Sequence, residues 1–217
     1  AFVIGDLTDS AEETEFAKAR EILDGLQMPW FPIIGNHDVW RHEGWSDRDT
    51  QAVADAAFVR HFSDRFQGVT VGEMVYEDFA VWNPGVGHES HFVNFEFGYQ
   101  GYLFLGLDWS SREPGIWPVR GSAPEADLFD FPGGTLPWMV ERLAQVPAET
   151  RRVFLVQHQG IRGSEVQPSF YFTFDSGEAA VYREALLDAG PAELYWGVFA
   201  GHTHRRWEGT AFDEWPE

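Results

Sequence analysis

Short apolar runs alternate with amphipathic stretches along most of the chain, and this alternation predicts a mixed α/β fold. The apolar run at residues 2–4 precedes a stretch with helical spacing, and a second run follows at 31–34. Ser10 and Glu13 have the spacing of a capping box at the start of that helix. A strand, a helix and a strand in this order predict parallel pairing with a right-handed crossover. Five apolar side chains of the helix are expected to face the sheet: Phe16, Ala19, Ile22, Leu23 and Leu26.

The remainder of the chain continues this alternation. A second helical pattern covers residues 50–62, and apolar segments at 91–97 and 102–107 predict a hairpin around Gly98-Tyr99-Gln100-Gly101. Residues 110–134 are rich in Pro, Gly, Ser and Trp and have no period, which is typical of a long functional loop. Four more elements are expected after it: a helix from about Pro137, a strand at 153–156, a helix at 178–189 and a strand at 194–200.

Length and composition fit one globular domain. The chain has 217 residues, 44% of them hydrophobic, which is enough for one full core and too few for two. We therefore expect a single domain over residues 1–217. The chain begins at Ala1 rather than at Met and enters a strand at once, so we expect a fragment, incomplete at the N-terminus. The C-terminus follows His204 closely, which leaves room for further missing strands.

The charge of the chain is strongly acidic. With 35 acidic and 15 basic residues, the formal net charge is −20, and Lys18 is the only lysine. Such a surface repels nucleic-acid backbones and anionic membranes at long range, so no nucleic-acid polymer is expected as a partner. No apolar run is long enough to span a membrane. Cysteine is absent, which excludes disulfides and thiolate metal ligands, and the sequence assigns neither a compartment nor an oligomeric state.

Short polar clusters follow apolar runs at four places where strands are expected to end. In open α/β sheets, ligands bind beyond the carboxyl ends of the strands, so these clusters should meet at one edge. The carboxylate of Asp6, the amide oxygen of Asn36 and four imidazoles form a mixture of ligands that suits Zn, Mn, Fe or Co ions. The clusters are Gly5-Asp6, Gly35-Asn36-His37-Asp38, Gln157-His158 and Gly201-His202-Thr203-His204.

Each cluster also has a purely structural explanation. Gly5-Asp6 is a common turn after a strand, and Gly35-Asn36 suits a turn with left-handed backbone geometry. Asp38 has the character of a helix or turn cap, and a lone histidine such as His158 is usually a satisfied core residue. The presence of all four clusters, in order, favours the metal-binding interpretation.

In this order the clusters resemble the calcineurin-like metallophosphoesterase family. The family pattern is Asp-x-His, then Gly-Asp, then Gly-Asn-His-Asp/Glu, then a lone His, then Gly-His-x-His. All but the first element are present between Asp6 and His204. The resemblance implies a four-layer αββα sandwich, with the N-terminal strand that would carry Asp-x-His missing, either by truncation or by a true loss.

The resemblance also implies a pair of divalent metal ions in the intact protein. Asp6 would bridge the two ions, and His204 would join it at the first one, a site left incomplete without Asp-x-His. The second ion would have a full set of protein ligands: Asp6, Asn36, His158 and His202.

The activity that the resemblance implies is hydrolysis of a small phosphoester by a metal-bridging hydroxide. His37 would assist the leaving group, and Asp38 would hold its ring in one tautomer. Asp9 occupies the position where purple acid phosphatases have a tyrosine, and Gly-Asp-Leu-Thr-Asp is similar to the bacterial cyclic-nucleotide phosphodiesterase branch. Phosphodiesters are therefore favoured slightly over monoesters, although this truncated chain would itself be weak or inactive.

The alternative is a non-catalytic domain of the same fold that binds one metal ion or none. Its support is the missing Asp-x-His, whereas His37 and the paired His202 and His204 favour the enzyme. Three arginines near the predicted loops are further candidates for contacts with phosphate oxygens: Arg41, Arg112 and Arg162.

Overall fold

The computed structural model describes residues 1–41, 51–52, 54–77, 80–112, 126–161 and 173–202. Among these residues, no helix combines the length and hydrophobicity that a bilayer crossing requires. The helices are α1 (Glu13–Leu23), α2 (Asn36–Val39), α3 (Asp55–Phe62), α4 (Thr135–Ala144) and α5 (Ser176–Ala189). The strands are β1 (Phe2–Ile4), β2 (Phe31–Ile33), β3 (Trp40–Arg41), β4 (Gln51–Ala52), β5 (Glu73–Tyr76), β6 (Ala80–Asn83), β7 (His88–His91), β8 (Phe95–Tyr99), β9 (Tyr102–Leu107), β10 (Arg152–Gln157) and β11 (Tyr195–Phe199).

The first three elements form the predicted β-α-β unit. Strands β1 and β2 pair in parallel, with Phe2 opposite Phe31. The capping box of α1 lies two residues later than predicted, because Glu12 is the N-cap and Glu15 completes the box. The carboxylate of Glu15 also accepts hydrogen bonds from the backbone and hydroxyl of Ser10, both at 3.0 Å.

The buried face of α1 is narrower than predicted. Phe16 is fully buried, and Ala19 and Leu23 pack against the core. Ile22 is 63% exposed and Leu26 is 42% exposed, so the prediction for these two residues is wrong. Each helical residue turns by about 100°, which carries Ile22 away from the direction of Phe16. Leu26 lies after the helix has ended at Leu23.

A five-stranded sheet has the order β11-β10-β9-β8-β5. Strands β9, β10 and β11 are parallel, and β8 is antiparallel to both of its neighbours. Strands β8 and β9 form the predicted hairpin, with Gln100 and Gly101 in left-handed conformations at the turn (φ 52° and 80°). The carboxyl ends of β9, β10 and β11 therefore lie along one edge.

Aromatic rings of the parallel pair β1 and β2 pack on one face of the five-stranded sheet. Phe2 lies 5.1 Å from Phe104, and Phe31 lies 5.0 Å from Phe97, measured between ring centroids. Helices α1 and α3 contribute to the same buried cluster, through Phe16 of α1 and through Phe58 and Phe62 of α3. This cluster ties the parallel pair to both the helices and the larger sheet.

The other face of the five-stranded sheet packs on α4 and α5. Leu103 and Leu105 of β9 belong to a second buried cluster with Met139 of α4 and Tyr182 of α5. Phe104, between them, contributes to the first cluster, as strand alternation requires. The layers are therefore α1 and α3, the β1–β2 pair, the five-stranded sheet, and α4 and α5. This order confirms the predicted α/β class and its αββα layering.

Three boundaries differ from the sequence prediction. The predicted strand at 91–97 is two strands, because β7 ends at His91 and pairs with β6, whereas β8 pairs with β9. The predicted helix at 50–62 begins only with α3, because β4 pairs with β3. The described residues of the predicted loop at 110–134 form one isolated bridge, between Ser110 and Ala126, before α4 begins. Residues 113–125 lie outside the described part of the chain.

Candidate metal centre

Two glycines allow the ends of β1, β2 and β10 to approach one another. Gly5 has a left-handed backbone (φ 69°), and a Cβ atom there would overlap the ring of His158. A Cβ atom at Gly35 would overlap the backbone nitrogen and the carboxylate of Asp6. The sequence needs glycine at both positions because a side chain would separate the strand ends.

Asp6 and His202 also have left-handed backbones, with φ of 52° and 65°. This conformation is uncommon for residues other than glycine and is frequently found at functional sites. Asp6 directly follows Gly5, and His202 follows Gly201, which donates its N–H to the carbonyl of His158 at 3.0 Å. Both residues with left-handed backbones thus lie next to His158.

The predicted ligands of the second metal converge on one atom, the Nε2 of His158. The Oδ2 of Asp6, the Oδ1 of Asn36 and the Nδ1 of His202 each lie 3.1 Å from it. Asn36, His158 and His202 are buried, and Asp6 is partly buried. We refer to these four residues, Asp6, Asn36, His158 and His202, as the His158 cluster.

The geometry of the His158 cluster fits a divalent cation. A ring nitrogen carries at most one proton, so it cannot hydrogen-bond to three neighbours at once. Ligand atoms about 2.1 Å from a common ion and at right angles to one another lie about 3 Å apart. The ligand atoms of Asp6, His158 and His202 all lie within 4.8 Å of one another. Carboxylate, amide and imidazole donors are the set that borderline divalent ions accept.

A backbone contact sets the tautomer of His158. Its Nδ1 lies 3.1 Å from the carbonyl oxygen of Ile4. A carbonyl oxygen only accepts hydrogen bonds, so Nδ1 carries the proton of the neutral ring and Nε2 presents a lone pair to the cluster. Strand β1 therefore orients His158 as well as supplying Asp6.

Opposite charges shift the pKa values of Asp6 and His158 in the metal-free cluster. Burial alone would raise the pKa of Asp6, but the hydrogen bond and charge of His158, together with His37, lower it to about 2. Burial alone would lower the pKa of His158, but the adjacent Asp6 carboxylate raises it. Asp6 is therefore ionised at neutral pH, as a metal ligand must be.

His37 lies beside the cluster on α2. Its backbone N–H donates to Oδ1 of Asp6 at 3.1 Å, which fixes the second oxygen of that carboxylate. Its Nδ1 lies 2.7 Å from the carbonyl oxygen of Asp9 and 3.7 Å from Oδ1 of the same residue. The side chain is 22% exposed, so the ring is positioned by protein but accessible to solvent.

Asp38 has a different role from the predicted one. Its Oδ1 accepts hydrogen bonds from the backbone and the hydroxyl of Thr8, both at 2.9 Å, and its Oδ2 accepts from the backbone of Gly35 at 2.9 Å. Burial first, and then the charge of Asp6, raise the pKa of Asp38 to about 7. The carboxylate thus caps α2 and joins two loops, whereas the contact with the His37 ring that was expected of it is made by Asp9.

Sequence reasoning missed Asp9 as a partner of His37. The available signal was its position three residues after Asp6, close to the end of β1. The ring contact uses the backbone carbonyl, which no residue type reveals. The family resemblance implies a carboxylate beside His37 and assigns this role to Asp38.

Three further residues predicted from the sequence are either settled by the structure or lie outside its described part. Arg112 is buried, and its guanidinium binds both oxygens of Asp108 at 2.8 Å, so it does not face a substrate. The guanidinium carbon lies 5.0 Å from the ring of Phe92 and 5.4 Å from that of Phe129. His204, the predicted ligand of the first metal, and Arg162 lie outside the described residues.

The fold and the His158 cluster define an α/β protein with a group of side chains that could hold a metal ion at the carboxyl edge of its strands. The model of the calcineurin-like phosphoesterase family matches residues 1–206. The chain belongs to this family, whose members are typically hydrolases that depend on a pair of metal ions. A comparison with curated proteins gave no match.

Proposed function

We propose that this protein hydrolyses small phosphoesters with divalent cations held at the His158 cluster. The observation that carries the proposal is the convergence of three ligand atoms on Nε2 of His158, each at 3.1 Å, from separate strand ends. Family membership supports metal-dependent phosphoester hydrolysis in general. The cations, when bound, would supply Lewis acidity and a water activated at neutral pH.

The residues of the cluster have distinct roles in this proposal. Asp6 directs Oδ2 toward His158 and is anchored through Oδ1 by the backbone of His37. Asn36 and His202 complete the second metal site without adding charge, which leaves the site able to attract an anionic ester. A first metal site would use Asp6 together with His204.

His37 is proposed to protonate the departing oxygen of the ester. Its Nδ1 is held by the Asp9 carbonyl, so Nε2 is the nitrogen left to face a substrate. The proton donor is therefore the imidazolium, which carries a proton on each ring nitrogen and keeps the one on Nδ1 when it gives up the other. General acid catalysis by a positioned histidine contributes about 10²–10⁴-fold to a rate. The short link from His37 to Asp6 through the backbone keeps this group next to the cations.

Phosphodiesters are the proposed substrate class, ranked slightly above monoesters. The support is the Gly-Asp-Leu-Thr-Asp segment at residues 5–9, with Asp9 in place of a tyrosine. Asp9 lies at the site, where its carbonyl oxygen contacts His37. The net charge of −20 argues against polymeric nucleic acid and leaves small diesters as the favoured class.

Hydrolysis of bis-p-nitrophenyl phosphate and p-nitrophenyl phosphate with added Mn²⁺ tests the proposal. We expect turnover that EDTA removes and Mn²⁺ restores, with the diester hydrolysed faster. Asp6→Asn and His37→Ala should each lower the rate by at least about 10²-fold.

His61→Ala is the matched control. The His61 side chain is 23% exposed, close to the 22% of His37, but its ring contacts Glu13 of α1. Its rate should equal that of the wild type. Metal binding without turnover of either ester would instead support the non-catalytic metal-binding domain.

A further inference from the structure

We propose that Thr8 is a positioning residue that fixes the ring of His37 through its hydroxyl group. This inference rests on the proposed function, because it assigns Thr8 an effect on the leaving-group step. Thr8 lies on the loop between β1 and α1, and its side chain is buried.

Thr8 makes a three-point contact with the turn that carries His37. Its backbone N–H donates to Oδ1 of Asp38 at 2.9 Å. Its hydroxyl lies 2.9 Å from the same oxygen and 3.0 Å from the carbonyl oxygen of His37. The partners are 30 and 29 positions away in sequence, so these bonds join two separate loops.

The same loop also supplies the acceptor for the His37 ring. Asp9, the residue after Thr8, places its carbonyl oxygen 2.7 Å from Nδ1 of His37. Thr8 thus bonds to the backbone of His37 through its hydroxyl and is also joined directly to Asp9, whose carbonyl oxygen contacts the His37 ring. The β-branched side chain restricts the hydroxyl to few rotamers, which favours a fixed link.

The hydroxyl is more than a requirement of the fold. Without it, Asp38 still accepts from the backbone N–H groups of Thr8 and Gly35, so the cap of α2 survives. What the hydroxyl adds is a donor that reaches both Asp38 and the His37 carbonyl, one at a time because it has a single hydrogen. Its loss should therefore affect the orientation of His37 more than the stability of the fold.

Leaving-group dependence separates this role from a structural one. A misoriented general acid slows the departure of a basic leaving group more than that of an acidic one, since the basic one needs the proton more. In Thr8→Val, we expect hydrolysis of methyl phenyl phosphate to fall by roughly tenfold or more. Hydrolysis of methyl p-nitrophenyl phosphate should fall by only about twofold, because its leaving group is stable as an anion.

Two variants act as controls for Thr8→Val. Thr8→Ser keeps the hydroxyl and should restore both rates. Thr135→Val removes another buried hydroxyl, which donates to the carbonyl of Asp108 at 2.7 Å, and should leave the ratio of the two rates unchanged. Thr8→Ala, which also lacks the hydroxyl, should reproduce the ratio of Thr8→Val. An equal loss for both esters, or no rescue by serine, would overturn the inference.

The ring of His37 can also be observed without turnover. Nitrogen-15 NMR of the metal-free protein should show the Nδ1–H tautomer of His37 in the wild type, in Thr8→Ser and in Thr135→Val. That signal should weaken in Thr8→Val, and an unchanged spectrum contradicts the positioning role. A wild type that hydrolyses no ester defeats the proposed function, while this spectrum still decides the role of Thr8.

Discussion

The Nε2 of His158 faces the Oδ1 of Asn36 at 3.1 Å, across 122 positions of sequence. The neutral ring carries its proton on Nδ1, next to the Ile4 carbonyl, so two lone pairs point at each other. Such an arrangement is unfavourable unless a proton or a cation lies between the two atoms. In the proposed metal centre a cation would take this place, and Asn36 would bind it through Oδ1.

Metal ions should therefore stabilise the wild type, and Asn36→Ala should weaken this effect. A ligand at about 100 times its Kd adds about 2.7 kcal/mol to the free energy of unfolding. Loss of one ligand should remove at least about 1.4 kcal/mol of that increment, which corresponds to tenfold in affinity. Urea unfolding with and without Mn²⁺ or Zn²⁺ measures the gain in the free energy of unfolding that the metal ion gives each protein, which we call the metal increment.

Asn83→Ala serves as the control for that experiment. Asn83 is also buried, and its amide bonds to the hydroxyl of Ser90 and to the backbone of Gly85. This variant should be less stable than the wild type but should keep the full metal increment. A wild type with no increment from either ion contradicts the metal centre.

Gly5→Ala should damage the centre as well as the backbone. The left-handed conformation at φ 69° costs an alanine about 1–2 kcal/mol, and the added Cβ would overlap the His158 ring. Gly68→Ala provides the comparison, since Gly68 has φ 63° with nothing within 4 Å of a Cβ. Both variants should lose stability in urea, but only Gly5→Ala should also lose the metal increment. Equal metal increments in the two variants would show that the close approach is unimportant.

Arg112→Met should be among the most destabilising substitutions. The guanidinium is buried, binds both oxygens of Asp108 at 2.8 Å and lies 3.7 Å from the carboxylate of Asp55. Removing it leaves two buried acids without their cation, which typically costs about 3–5 kcal/mol. Arg60→Met breaks an exposed ion pair with Glu13 and should cost less than about 1 kcal/mol. Unfolding of the two variants in guanidinium chloride measures both losses of stability, and similar losses would contradict the prediction.

Glu178 should make stability decrease as the pH rises. Burial first, and then the charge of Asp127, raise the pKa of Glu178 from 4.5 to about 7. The folded state then binds more protons than the unfolded state between these values, so the free energy of unfolding falls across pH 4.5–7. Glu178→Gln keeps the capping box with Asp175 and should be about 1–2 kcal/mol more stable than the wild type at pH 8, after allowance for solvent screening.

The comparison at pH 5 completes this test. There the wild type and Glu178→Gln should have nearly equal free energies of unfolding, because the carboxyl group is protonated. Glu184→Gln, at an exposed position on the same helix, should follow the wild type at both pH values. A wild type that loses no stability toward pH 8 relative to Glu178→Gln contradicts the proposed burial effect.

The parts of the fold that sequence predicts are those with strong local signals. The β-α-β unit and the hairpin of β8 and β9 were predicted because apolar runs are separated there by a capped helix or by glycine. The strand at 91–97 was predicted as one element because its apolar pattern does not reveal the change of partner after His91. Partner choice depends on distant strands, which periodicity does not record.

The same limit applies to the centre. The positions of Asp6, Asn36, His158 and His202 after apolar runs were enough to predict that they meet. The partner of the His37 ring was not predictable, because it is a backbone carbonyl brought in by a loop 28 positions away. Arginine is usually a surface residue, so the sequence does not predict the burial of Arg112, and only the structure reveals the acids and rings around it.

The His158 cluster joins residues that lie far apart in the sequence, since His158 is 122 positions from Asn36 and 44 positions from His202. During translation, Asp6 and Asn36 leave the ribosome before His158 and His202. A nascent chain therefore holds only two of these four side chains until His158 has been synthesised. Tight metal capture would then follow the synthesis of His202 and require that the two segments have come together.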